Sequence, residues 1–215
     1  MSRDASGKRI MLGAGGHARV LLDEMRRAGL TCNGIIDPDR KINTRISGVL
    51  VVGNYESEPE FQEALLINGI GMLPGKSARV ALARRMMKEG RPFEQVISQV
   101  SFVSPTASLS PGVQVLAGAV VKCDTIVGRD VVINTRAVVE HDVSIGDRTW
   151  ISPGAIICGG VDIGEETFVG AGAIVLQGMK IGARAVIGAG TVITKQVKNA
   201  EKVISDIKCA RTFLA

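Results

Sequence analysis

The sequence predicts two unlike halves, a small α/β unit followed by a β-helix of stacked six-residue repeats. Three observations carry this. An aliphatic residue recurs at every sixth position from Val103 to Ile193 without a break. Glycine supplies 26 of 215 residues while aromatics make up only 3%, so the core must be built from Val, Ile and Ala rather than from large rings. Ahead of the repeat, an apolar run, a glycine-rich turn, a helical pattern and a second apolar run follow one another.

Composition excludes several classes. Hydrophobic residues are 46% and charged residues 22%, which supports a packed core rather than disorder. No apolar run approaches the roughly 18 residues of a membrane span, and the polar start lacks a signal-peptide core. The four cysteines, Cys32, Cys123, Cys158 and Cys209, form no CxxC pair. Neither a disulfide framework nor a metal site is expected, and a reducing cytoplasm fits. The net charge of +5 is not gathered into a basic tract, and rings for stacking on bases are nearly absent. Nucleic acid is therefore a poor partner; an anionic small molecule, a nucleotide or coenzyme A, fits the charge as well.

The first element is a strand over residues 8–12. Gly13-Ala14-Gly15-Gly16-His17-Ala18 follows, then a helix over 19–28 with Val20, Leu21, Leu22 and Met25 as its apolar positions and Gly29 as its stop. A second strand over 31–36 ends at Asp37. Glycine is suited to a turn where backbone approaches a phosphate, and a helix start offers free N–H groups and a positive dipole. The letters match G-x-G-x-x-A, a dinucleotide fingerprint. The competing readings are a mononucleotide or nucleotide-sugar site, and a tight turn with no ligand. Residues 49–52 and 66–73 are further strand candidates, and 77–89 reads as a helix. The unit over residues 1–100 is about half of a full dinucleotide fold.

Sixteen hexads then fill residues 101–196. The residue two before each aliphatic is usually small or β-branched, as at Ala137, Val143 and Thr149, then Ala155, Val161 and Thr167, with Met179 an exception. That order repeats every three hexads, so three hexads close one triangular coil. The aliphatics stack inward at about the 4.8 Å strand spacing. A helix is excluded, because a period of six would walk the aliphatics around its cylinder. Pro105, Pro111 and Pro153 suit turns. Residues 197–215 are expected to cap the exposed coil end.

This pattern resembles the hexapeptide-repeat acyltransferases. Together with Gly13-Ala14-Gly15-Gly16-His17 and an Asn134…His141 pair, it resembles more narrowly the NeuD/PglD-like sugar acetyltransferases. The resemblance implies a Rossmann-like α/β domain, a left-handed parallel β-helix, a homotrimer and acetyl-CoA bound between neighbouring β-helices. It implies acetylation of the amino group of a UDP- or GDP-linked amino sugar.

The site residues follow. His141 lies two after an inward aliphatic and points outward, and imidazole can take a proton near pH 7. It is read as the general base, against a surface or interface histidine. Asp142 is the family's partner for it, although adjacent side chains diverge in a strand and contact requires a turn, and Glu140 is the alternative partner. The resemblance assigns Gly159 as the oxyanion donor, and Asn134 to the acceptor sugar or else to its own turn. Trp150, Ala171 and Ala189 would line the coenzyme path, the last two also being small turns that the repeat demands. Gly15, Gly16 and His17 would meet phosphate and sugar, Asp37 the base or ribose, and Gly71 the same crevice.

The chain departs from the family at Gly71-Met72-Leu73-Pro74, where relatives read Gly-Asn/Asp-Asn. It also lacks the usual Gly-x-Pro-Ala-Lys near its end. Three other functions compete with the amino-sugar reading: O-acetylation of sialic acid or a related sugar, a non-catalytic trimeric nucleotide-sugar-binding scaffold, and a dinucleotide oxidoreductase.

Overall fold

A computed structural model describes residues 7–55, 61–75 and 78–205. Cys209 and most of the expected cap lie outside the described residues.

The first domain is a five-stranded sheet in the order β3-β4-β2-β1-β5. Its strands are Arg9–Leu12 (β1), Gly34–Ile36 (β2), Arg45–Ile46 (β3), Val49–Gly53 (β4) and Leu65–Asn68 (β5). All pairs are parallel except β3 with β4. Helix α1 (Gly16–Arg27) buries Ala18, Leu21, Leu22 and Met25 against one sheet face. Helix α2 (Ala78–Lys88) buries Leu82, Ala83 and Met86 against the other. Central strands covered on both faces are rich in apolar residues, as β1 is at Ile10, Met11 and Leu12.

Three boundaries differ from the sequence expectation by three residues or more, the first being the start of β2 at Gly34 rather than at residue 31. Helix α1 begins at Gly16 rather than at residue 19. Strand β5 stops at Asn68, because the chain must then pass close under the first turn. A Cβ at Gly69 would lie 2.8 Å from the Gly13 carbonyl oxygen. In the glycine-rich turn itself, Gly13 is the residue that requires glycine. Its φ is +103°, and a Cβ there would lie 2.8 Å from Ile70. Beside Gly15 and Gly16 the space is open.

The second domain is the left-handed parallel β-helix of hexapeptide repeats. Strands from Val96–Ile97 to Lys202–Val203 make a seven-stranded face. Those from Phe102–Val103 to Val192–Ile193 make a six-stranded face, and those from Ser108–Leu109 to Lys180–Ile181 a five-stranded one. Every pairing joins residues eighteen apart except at the last coil, where Val186 pairs with Lys202. Coil pairing thus starts before residue 101 and continues past 196.

The interior is the aliphatic stack. Val115, Ile133, Ile151, Val169 and Ile187 are each fully buried in one column. Ala119, Ala137, Ala155 and Ala173 fill one corner. Inward threonines are satisfied: Thr149 Oγ1 donates to the Gly164 carbonyl at 3.0 Å and Thr167 Oγ1 to the Gly182 carbonyl at 2.9 Å.

Each corner holds one residue with a left-handed backbone. Glycine takes that position at Gly160 and Gly178, but Asp124, Arg136, Asp142 and Arg148 take it elsewhere, Asp142 at φ +58°. A left-handed non-glycine residue costs roughly 1–2 kcal/mol, and the hydrogen bonds between coils offset that. Such a bend makes an adjacent His–Asp contact possible.

Candidate active site

The site features fall on two corners of the triangle. Where the six-stranded face turns into the five-stranded face, Cys123, His141, Gly159 and Gln177 stack in a column. The Asp142 N–H donates to the Cys123 carbonyl, the Gly160 N–H to the His141 carbonyl, and the Gly178 N–H to the Gly159 carbonyl. His141 Nδ1 lies 2.7 Å from Asp142 Oδ2. The left-handed bend at Asp142 supplies the turn that this contact requires.

The Asp142 carboxylate stabilises the His141 imidazolium and raises its pKa above 6.5. With Nδ1 committed to Asp142, Nε2 is the nitrogen left for proton transfer. Glycine at 159 leaves room for the imidazole in this position, since a Cβ there would lie 2.7 Å from both Cε1 and Nε2 of His141 and displace the ring. The Gly159 N–H makes no hydrogen bond among the described residues.

The other corner, where the seven-stranded face turns into the six-stranded face, stacks Thr135, Pro153, Ala171 and Ala189 through equivalent hydrogen bonds. Two contiguous grooves run along it. One, of about 720 Å³, is lined by Gly16, His17, Gly71, Met72, Leu73, Asn134 and Trp150. The next, of about 530 Å³, is lined by Leu73, Pro74, Asn134, Trp150, Phe168, Ala171, Ala189 and Lys202. Met72, Leu73, Asn134, Trp150 and Pro153 line both. Asn134 Oδ1 accepts the Thr135 N–H at 2.8 Å, so it closes its own turn while lining the grooves.

Asp37 accepts the Ala14 N–H at 2.7 Å and the Asp39 N–H at 2.9 Å, which fixes the strand end against the glycine turn. No acidic residue stands in the first turn of α1. With the open space at Gly15 and Gly16, that helix start is suited to an anion.

His17 lines the larger groove and is packed against the second domain. Its ring packs edge-on against Trp150, with centroids 5.0 Å apart, and its Nε2 lies 2.7 Å from Gln114 Oε1. Burial and the nearby Arg79 cation push its pKa down to about 3. An uncharged imidazole adds no positive charge for an anion, so the suitability of this corner for one rests on the free backbone N–H groups of the helix start.

These features can be placed among known proteins. Residues 142–177 match the family model for bacterial transferase hexapeptide (six repeats), and residues 160–195 that for the hexapeptide repeat of succinyl-transferase. A histidine-to-alanine variant of GDP-perosamine N-acetyltransferase from Caulobacter crescentus, solved with CoA and GDP-perosamine, is 34% identical. The match covers 94% of this chain and 95% of that one, with a TM-score of 0.85. The chain belongs to the NeuD/PglD-like sugar acetyltransferases. The acetyltransferase domain of PglB from Neisseria gonorrhoeae, solved with acetyl coenzyme A, is 27% identical over 93% of this chain and 96% of that one, again with a TM-score of 0.85. No curated protein sequence matches at a significant level.

Within one chain the residues singled out from the sequence, Asp37 apart, therefore form two groups. Gly15, Gly16, His17, Gly71, Asn134, Trp150, Ala171 and Ala189 gather along or beside the grooves. His141, Asp142 and Gly159 occupy the next corner, with the six-stranded face between the groups.

Sequence reading missed Gln114 and the role of Arg79. Buried Arg79 donates to the carbonyls of Asn68 and Ile70, and its guanidinium lies 5.4 Å from the Trp150 ring. The available signal was register: Gln114, Trp150 and Phe168 are the outward residues of the face that the first domain covers.

Among the described residues no group of His, Cys, Asp and Glu could hold a metal ion, and no helix is long and apolar enough to cross a membrane.

Proposed function

We propose that this protein transfers the acetyl group of acetyl-CoA to the amino group of a nucleotide-linked amino sugar, at a site completed by a second copy of the chain. The carrying observation is the 2.7 Å His141–Asp142 pair, with the Gly159 backbone against the free side of the imidazole. The 720 Å³ groove takes the nucleotide sugar, its phosphates at the start of α1, and the 530 Å³ groove takes the pantetheine arm. Acetyl-CoA as donor supports a cytoplasmic setting for the reaction.

His141 Nε2 accepts a proton from the attacking amine as the C–N bond forms. The Gly159 N–H stabilises the negative charge developing on the thioester oxygen. His141 then returns the proton to the departing CoA thiolate, and Asp142 holds the imidazole in register throughout.

The assembly is a homotrimer. All six outward positions of the six-stranded face are apolar, namely Phe102, Val120, Val138, Ile156, Ile174 and Val192. Phe102 and Val192 are each 53% exposed. The outward row of the five-stranded face, by contrast, is Ser108, Ile126, Ser144, Asp162 and Lys180. An exposed apolar strip marks an interface. Burying this one in a closed ring brings the His141 corner of one copy to the groove corner of the next.

The test is thiol release from acetyl-CoA with GDP- and UDP-linked 4-amino sugars and with sialic acids, and His141→Ala as control. Release with an amino sugar, lost in the variant, is expected. Release with sialic acid alone would overturn the amine as acceptor, and coenzyme binding without release across the panel would overturn the acceptor class.

A further inference from the structure

The glycine-rich turn, the end of β5 and the start of α2 converge on a single amide, that of Gln114 on the β-helix. Gln114 Nε2 donates to the Asn68 carbonyl at 2.9 Å. Its Oε1 therefore faces the other way and accepts from Arg79 Nη2 at 3.3 Å. The same oxygen lies 2.7 Å from His17 Nε2. The orientation of this amide is thus set by the network. An oxygen that already receives a guanidinium has only acceptor capacity to offer His17, so His17 Nε2 must carry the hydrogen. Nδ1 is then the unprotonated nitrogen. It has no hydrogen-bond partner among the described residues, and the His17 side chain lines the 720 Å³ groove.

We propose that Gln114, held by Asn68 and Arg79, is a positioning residue that locks His17 as its Nε2–H tautomer, so that His17 Nδ1 accepts a hydrogen bond from a hydroxyl or amine of the acceptor sugar. This rests on the acceptor reading above. It separates two tasks within one turn: backbone N–H groups take the phosphate, and the side chain reads a neutral donor. Burial, and after it the Arg79 cation, disfavours the imidazolium that would put a hydrogen on both nitrogens. The groups packed on the ring are Arg79 from α2 and Gln114 and Trp150 from the β-helix.

The chain has two histidines, so each can be followed separately in full-length protein carrying ¹⁵N-histidine. One histidine, His141, is expected to titrate above pH 6.5. The other is expected to stay neutral from pH 8 to pH 5, with a pyridine-like Nδ1 and a protonated Nε2. His17 titrating near 6.5, or carrying its proton on Nδ1, would overturn the lock. This readout needs no substrate, so it stands or falls apart from the identity of the acceptor.

The second arm is Gln114→Glu, which puts a carboxylate against His17 and favours the imidazolium. With the acceptor sugar, kcat/KM is expected to fall roughly tenfold or more at pH 7, mostly through KM. It should recover as pH rises, with the KM for acetyl-CoA unchanged. Gln114→Met, which keeps length and removes the polar atoms, should populate both His17 tautomers. If either variant keeps the parent KM for the acceptor, Gln114 does not position His17.

Discussion

The regions around His17 and His141 treat the same side chain in opposite ways. His17 is enclosed between α1, Arg79, Gln114 and Trp150, and is held neutral by burial and by a neighbouring cation. The His141 side chain is 58% exposed at its corner, and its hydrogen-bond partner among the described residues is a carboxylate. Burial beside a cation yields a fixed hydrogen-bonding group, whereas exposure beside an anion yields a group that exchanges protons near neutral pH. Substitutions at His141 and its neighbours should therefore act on turnover, and substitutions around His17 on acceptor binding.

The largest effect is expected at His141. His141→Ala should lower kcat by about 10²–10⁴, the usual range for a general base, while KM for both substrates changes little. Steady-state kinetics against each substrate in turn checks this. Gly159→Ala comes next. The added Cβ must displace the imidazole, and a shift of about 1 Å at a catalytic group costs on the order of 10² in rate. The rate should fall while coenzyme binding by calorimetry stays near the parent value.

Asp142→Asn sharpens the electrostatic side of the comparison. The carboxylate raises the His141 pKa, and the base works only when neutral. In the parent protein the rate should therefore climb with pH through a value above 6.5 and then level off. In the variant that climb should move to lower pH and end at a lower plateau, which a pH profile of kcat reads directly. The smallest effect should come from His17→Asn, a raised KM for the acceptor of about tenfold, the size of one lost neutral hydrogen bond, with kcat reduced less.

Much of this was legible in the sequence. The β-helix was, because its single rule repeats every six residues and stacks its own copies, as at Ile133, Ile151 and Val169. The adjacent His141 and Asp142 were legible as a candidate pair, and the left-handed corner at Asp142 shows how neighbours in sequence can touch. The α/β unit was legible from its glycine turn and two helical patterns, though its strand order was not, since that order depends on contacts between β1, β2 and β5.

The join between the halves was hidden. Gln114 reads as an ordinary outward strand residue, and Arg79 as one of several arginines on a polar helix. Their roles exist only once α2 lies across the β-helix. The distribution of the site residues over two corners was hidden for a similar reason. Asn134 and His141 are seven apart in sequence, yet a corner lies after each strand, so that spacing spans a whole face.

The central claim is that the base of one copy serves the grooves of another. Co-expression of His141→Ala with Ala171→Trp tests it most directly. The first variant keeps its grooves and lacks the base. The second keeps the base and has an exposed turn residue enlarged into the coenzyme groove. Each alone should be inactive. In mixed rings of equal input, about a quarter of sites pair an intact groove with an intact base across one interface, so activity near a quarter of the parent value should return. Mixtures that form and remain as inactive as the separate variants would contradict a shared site and place the chemistry within a single chain.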